Sequence, residues 1–80
     1  MEVEVDVSLY ALGPSSVAHP VDDLVGVFGE HGCEVTTTST SLIVTGKSED
    51  IFTSLRIGYE RAADKGACVL VVKACNACQL

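Results

Sequence analysis

Six hydroxyl side chains follow one another at residues 36–41, TTTSTS, in a chain that is 48% hydrophobic. Such a run can recognise a polar heteroaromatic ring when it lines a pocket, because fixed donors and acceptors meet ring nitrogens and amino groups. It can equally be plain β structure, since Thr favours strands and Ser favours turns. A second candidate is the C-x-x-C of Cys75 and Cys78. That spacing serves zinc or thiol redox chemistry, but zinc takes four ligands and no second pair or His-x-x-x-His exists to complete a site. His19 and His31 stand apart, and Cys33 and Cys68 open separate predicted strands. A redox pair would open a helix, and this one closes the sequence, so neither a metal nor a redox centre is expected. Tyr10 is the third candidate: an aromatic that can cover a dimer interface or stack on a planar ligand.

Other chemistries find no residues to carry them. There is no paired-carboxylate motif, no Gly-x-Ser-x-Gly and no phosphate loop, so no enzyme is expected. The 11 acidic and 5 basic residues leave a formal charge of −6, and Lys47, Arg56, Arg61, Lys65 and Lys73 form no run. Nucleic acid wants a clustered basic footprint and is therefore not expected as a partner. The acidic balance mildly favours a cationic ligand. The longest apolar run, ACVLVV at 67–72, is too short to cross a bilayer. The opening MEVEVDVSLY carries acids where a signal peptide needs a basic segment and an apolar stretch. A cytoplasmic protein with reduced cysteines is expected, without membrane association.

The elements that must hold these residues are legible from periodicity. Val3, Val5, Val7 and Leu9 alternate with Glu4, Asp6, Ser8 and Tyr10, which predicts a half-buried strand over 2–12. Pro20 and the acids Asp22 and Asp23 suit a helix start, and Val21, Leu24, Val25 and Phe28 form one apolar stripe. This helix is predicted at 20–31, with Gly32 as its stop. The β-branched segment CEVTTTSTSLIVTG predicts two strands, 33–39 and 41–47, joined by a turn near Ser39–Ser41. Ser48 is the expected N-cap of a second helix at 49–65, whose stripe is Ile51, Leu55, Tyr59 and Ala62 and whose stop is Gly66. The last strand, 67–75, is apolar on both faces and is expected to be central or buried in an interface.

The order β-α-β-β-α-β in 80 residues predicts one ferredoxin-like α+β domain, an antiparallel four-stranded sheet with both helices on one face. The other face stays open. Because it carries Val or Leu whichever way the last strand turns, a second copy of the chain is expected to cover it. Known variants of this topology are excluded by their own chemistry. The loop GPSSVAHP lacks the cysteines of heavy-metal-binding domains and the phosphate-gripping arginine of acylphosphatases. The hairpin and last strand lack the aromatics on which RNA-recognition domains depend.

Taken together, VSLYALG on the first strand, the Thr/Ser-rich hairpin ending SLIVTG, the helix EDIFTSLRIGYERAADKG and the short apolar last strand resemble the YkoF-like family. Its members bind thiamine and hydroxymethylpyrimidine, and are related to a wider family of short thiamine-binding proteins. The resemblance spans nearly the whole chain; its most specific part is Ser8-Leu9-Tyr10 combined with Ile51-Phe52. It implies ferredoxin-like units paired through their sheets, and an aminopyrimidine pocket between the first strand and the central hairpin. Carried over, the ligand-binding residues are Ser8, Leu9, Tyr10, Thr38, Thr40, Ser41 and Leu42, with the ring against Tyr10 and Leu9. Relatives commonly have a threonine at Leu42 and a glycine near Thr38, so here Thr40 or Ser41 would supply that hydroxyl. No cofactor is implied beyond the ligand. The alternative is a regulatory or assembly module of the same fold, whose open face oligomerises without binding a metabolite.

Overall fold

A computed structural model describes residues 1–12 and 21–76. The elements are β1 (Glu2–Ala11), α1 (Val21–Glu30), β2 (Glu34–Thr37), β3 (Leu42–Lys47), α2 (Ser48–Lys65) and β4 (Cys68–Cys75). Their bounds lie within two residues of those read from the sequence. The sheet order is β2-β3-β1-β4 with every pairing antiparallel, and both helices cover one face. This is the ferredoxin-like α+β fold. Among the described residues, no helix is long and apolar enough to cross a membrane.

Of the two places expected for β4, central or buried in an interface, the first is excluded: among the described residues β4 pairs only with β1, at the sheet edge. Its apolar character on both sides therefore leaves Val69 and Val71 each 42% exposed.

The period of two in β1 does what it predicts. Val5 and Val7 are 0% exposed and Val3 7%, packed under the helices with Leu42 and Val44 of β3. From above, α1 contributes Leu24 and Phe28, and α2 contributes Ile51 and Leu55. Val27 joins the buried set on α1, whereas Val21 and Val25 are only partly buried. On α2 the expected stripe shifts by a fraction of a turn: Ser54 and Gly58 are buried and Tyr59 is 38% exposed. Gly58 explains the shift. A Cβ there would sit 2.2 Å from Leu24 Cδ1 and 3.3 Å from Leu24 Cα, so the two helices touch here and a side chain at 58 would displace Leu24. Lys65 bridges to Asp23 across the same pair of helices.

α1 stops as its glycine suggests. Gly32 takes φ 75, its N–H bonds the Gly29 carbonyl at 3.2 Å and the Cys33 N–H bonds the Phe28 carbonyl at 3.0 Å, a Schellman end. α2 starts differently from expectation: Ser48 is its first residue and Lys47 its cap, with no side-chain cap bond. The Ser48 N–H instead reaches the Met1 carbonyl at 2.8 Å, so the start of β1 replaces the capping side chain.

Candidate recess on the open sheet face

The strand register arranges the open face in rows that cross the sheet. Glu34, Thr45, Glu4 and Cys75 form one row. The next is Thr36, Ile43, Asp6 and Lys73, and then come Ser8 with Val71 and Tyr10 with Val69. The face is thus graded, acidic at one end and aromatic–aliphatic at the other. Tyr10 is 54% and Leu12 49% exposed at the apolar end.

β1 outruns β3. Their pairing ends at Val7 opposite Leu42, so Ser8 to Ala11 have no β3 residue beside them. The hairpin turn Thr38–Ser41 lies at this step. A two-residue hairpin loop ordinarily needs positive φ, yet no described non-glycine residue has it. Thr38 resolves the conflict. Its Oγ1 accepts the Thr40 N–H at 3.2 Å and the Ser41 N–H at 2.9 Å, and donates to the Ser41 carbonyl at 2.9 Å. The side chain thus stands in for a backbone carbonyl, the device by which Thr and Ser build turns. The Thr38 N–H also reaches the Ser41 carbonyl at 2.8 Å. The hydroxyl run is therefore divided: Thr36 and Thr37 belong to β2, Thr38 builds the turn with the Ser41 hydroxyl at 3.2 Å from its Oγ1, and Thr40 is exposed.

Between this turn and β1 lies an open recess of about 250 Å³. It is lined by Asp6, Ser8 and Tyr10 of β1, Val71 and Lys73 of β4, and Thr40 and Ser41 of the hairpin. Ser8 Oγ approaches the Thr40 carbonyl at 3.5 Å across the gap. A second recess of about 200 Å³ opens on the helix side of the same step and is lined by Val7, Leu9, Leu42 and the hairpin residues.

Of the residues singled out from the sequence, Ser8, Thr40 and Ser41 line both recesses, Tyr10 lines the open-face one, and Leu9, Thr38 and Leu42 line the helix-side one. Leu9 and Leu42 point to the helix side, Leu9 half-buried and Leu42 in the core at 1% exposure. One flat ring cannot lie against both Tyr10 and Leu9, because adjacent strand residues face opposite ways. Thr38 lines the second recess while its hydroxyl serves the turn. Asp6 and Lys73 join the open-face recess beyond the expected residues, with a signal in the sequence: Asp6 shares the period of two with Ser8 and Tyr10, and Lys73 that of Val69 and Val71.

Cys33 and Cys68 are free thiols, but Cys75 is disulfide-bonded, which corrects the expectation that all four are reduced. That expectation rested on compartment alone. Cys78 and His19 lie outside the described residues, and among those described no three His, Cys, Asp or Glu side chains could hold a metal. Burial, and secondarily the Asp50 charge, pushes the Cys33 thiol above its ordinary pKa against an opposing hydrogen bond with Ser54. A thiol so placed is a poor nucleophile.

The elements and their sheet order define a small ferredoxin-like α+β domain, a fold shared by several solved structures. No family model and no curated protein matches the chain. A hypothetical protein from Methanocaldococcus jannascii superposes with a TM-score of 0.83 at 21% identity, over 94% of this chain and 79% of that one. A domain of unknown function, DUF77, from Bacillus cereus matches at 0.77 and 14%, over 94% and 75%. A candidate thiamine biosynthesis/salvage protein from Thermotoga maritima matches at 0.79 and 12%, over 99% and 87%. At these identities the likeness is one of fold.

Proposed function

We propose that this chain is a non-catalytic carrier or sensor for thiamine or its hydroxymethylpyrimidine precursor, held in the open-face recess. The observation that carries the reading is the convergence of one aromatic wall, Tyr10, with the Ser8, Thr40 and Ser41 hydroxyls around a hollow of about 250 Å³. An aminopyrimidine needs both kinds of surface, a π-face to stack on and hydrogen-bonding groups for its nitrogens. The sequence resemblance to thiamine-binding proteins, and a neighbour of the same fold described as a thiamine biosynthesis/salvage protein, support the ligand class.

The recess is shallow, and specific ligand sites bury about 70–90% of a small ligand's surface. A second copy seated on Leu12, Val69 and Val71 would roof it, so oligomerisation and binding belong together. Those three side chains are each at least 42% exposed in the single chain. The same patch favours the second reading, an assembly module that pairs through its sheet and binds no metabolite.

Calorimetric titration with thiamine and with hydroxymethylpyrimidine tests the proposal. One stacking contact and two or three hydrogen bonds, less the cost of association, lead to an expected affinity of about −8 kcal/mol, micromolar. Ser41→Ala and Tyr10→Ala should weaken binding, whereas Thr53→Ala, exposed on α2, should not. If neither compound binds at millimolar concentration while light scattering still reports an oligomer, the assembly reading replaces the carrier reading.

A further inference from the structure

Asp6 and Lys73 occupy directly opposed positions on β1 and β4, and both line the recess. Two opposite charges at such positions normally close on one another, yet they form no ion pair here, and neither has a hydrogen-bond partner among the described residues. The surroundings sharpen the asymmetry. Of the five basic residues, Arg56, Arg61 and Lys65 are on α2, behind the sheet, and Lys47 is at the far end of β3, opposite Glu2. Lys73 is the recess's cation, set in a chain of formal charge −6. A lysine in that field attracts an anion only at short range, since the long-range field is unfavourable and screened by salt.

We infer that the recess takes a phosphate monoester of a small amino-substituted heteroaromatic ring, with Asp6 accepting from the amino group and Lys73 meeting the phosphate. This rests on the ligand reading above and adds the ionic form of the ligand. An acid and a base side by side match a ligand whose amine and anion are close together on one small ring. Hydroxymethylpyrimidine monophosphate has that arrangement. The monophosphate of thiamine carries its phosphate at the far end of a longer molecule. Tyr10 is two residues along β1 from Ser8, and four from Asp6. At about 3.3 Å per residue, Tyr10 therefore bounds the hollow at roughly 13 Å from Asp6, and the ring occupies the span between them beside the hydroxyls.

The test is calorimetry on the full chain with four ligands, hydroxymethylpyrimidine, thiamine and the monophosphate of each, and with inorganic phosphate as a control. Hydroxymethylpyrimidine monophosphate is expected to bind at least about ten-fold more tightly than its alcohol, the gain that one charge-assisted contact confers. Lys73→Gln should erase that gain, so that ester and alcohol bind the variant equally, while Asp6→Asn should weaken both. The gain should shrink as salt rises. Both side chains lie on the open face away from the core, and thermal denaturation of each variant verifies folding. If an unphosphorylated compound binds and phosphorylation adds nothing, or if Lys73→Gln leaves the gain intact, this inference falls and the carrier reading stands. If none of the four binds, both fall. Binding of inorganic phosphate as tight as that of the ester overturns the role given to the ring.

Discussion

Val5 and Asp6 are consecutive residues of β1 in opposite environments: Val5 is wholly buried under the helices, and Asp6 lines an open hollow. The same contrast repeats along the sheet. On the covered face Val3, Val7, Leu42 and Val44 are 7% exposed or less, and they make the core. On the open face the rows run from Glu4 and Glu34 through Asp6 and Lys73 to Tyr10 and Val69, and no helix covers them. A single alternating pattern thus assigns stability to one side and leaves the other free to recognise something. The open side is graded and not uniformly apolar, so a partner copy and a polar ligand can each claim part of it.

The contrast can be broken most directly on β3. Leu42→Ala, at 1% exposure, is expected to cost about 2–5 kcal/mol. Its neighbour Ile43, half-buried on the open side, should lose only about 1 kcal/mol on the same change. Urea denaturation compares them, and equal losses would mean that the open face is structural. Next in size is Gly58→Ala. The built Cβ meets Leu24 at 2.2 Å, and forced overpacking of this kind costs about 1–3 kcal/mol. Gly26→Ala on α1, with nothing within 4 Å, should instead stabilise by roughly 0.5–1 kcal/mol through helix propensity. Melting temperatures that move in the same direction would refute the close approach of the helices.

Thr38→Val should cost about 1 kcal/mol, because the Thr40 and Ser41 amides it serves are exposed and can turn to water. Faster hydrogen exchange at the Ser41 amide is the specific readout, and an unchanged rate would deny Thr38 its part in the turn. The smallest effect is expected at Cys33. Its folded pKa is raised by burial and by Asp50, so its contribution to stability is full below the ordinary thiol value of about 8.5 and is lost as pH rises past it. The stability of the wild type relative to Cys33→Val should accordingly fall as pH rises above about 8.5. Iodoacetamide should label Cys68 before Cys33; the reverse order would contradict the burial of Cys33.

Much of the site was legible one strand at a time. The period of two put Asp6, Ser8 and Tyr10 on one side of β1, and the Thr/Ser run marked the hairpin beside it. Which hydroxyls remained free was not legible, because Thr38 is consumed by a turn whose geometry depends on backbone angles. The same alternation sends Leu9 to the side of Val7, where it lines the helix-side recess with Leu42. Lys73 entered the recess through the β1–β4 register, which brings together residues 67 positions apart.

By itself the sequence determined the order of elements, the covered face of β1 and the glycine that ends α1, since each follows from local periodicity or backbone freedom. Only the tertiary structure decided that β4 lies at the edge, that Gly58 is where the helices touch, and that Asp6 meets Lys73 beside the hairpin hydroxyls. These depend on strand order and register, which arise from contacts between distant segments competing for one small core, and no local pattern encodes the outcome of that competition.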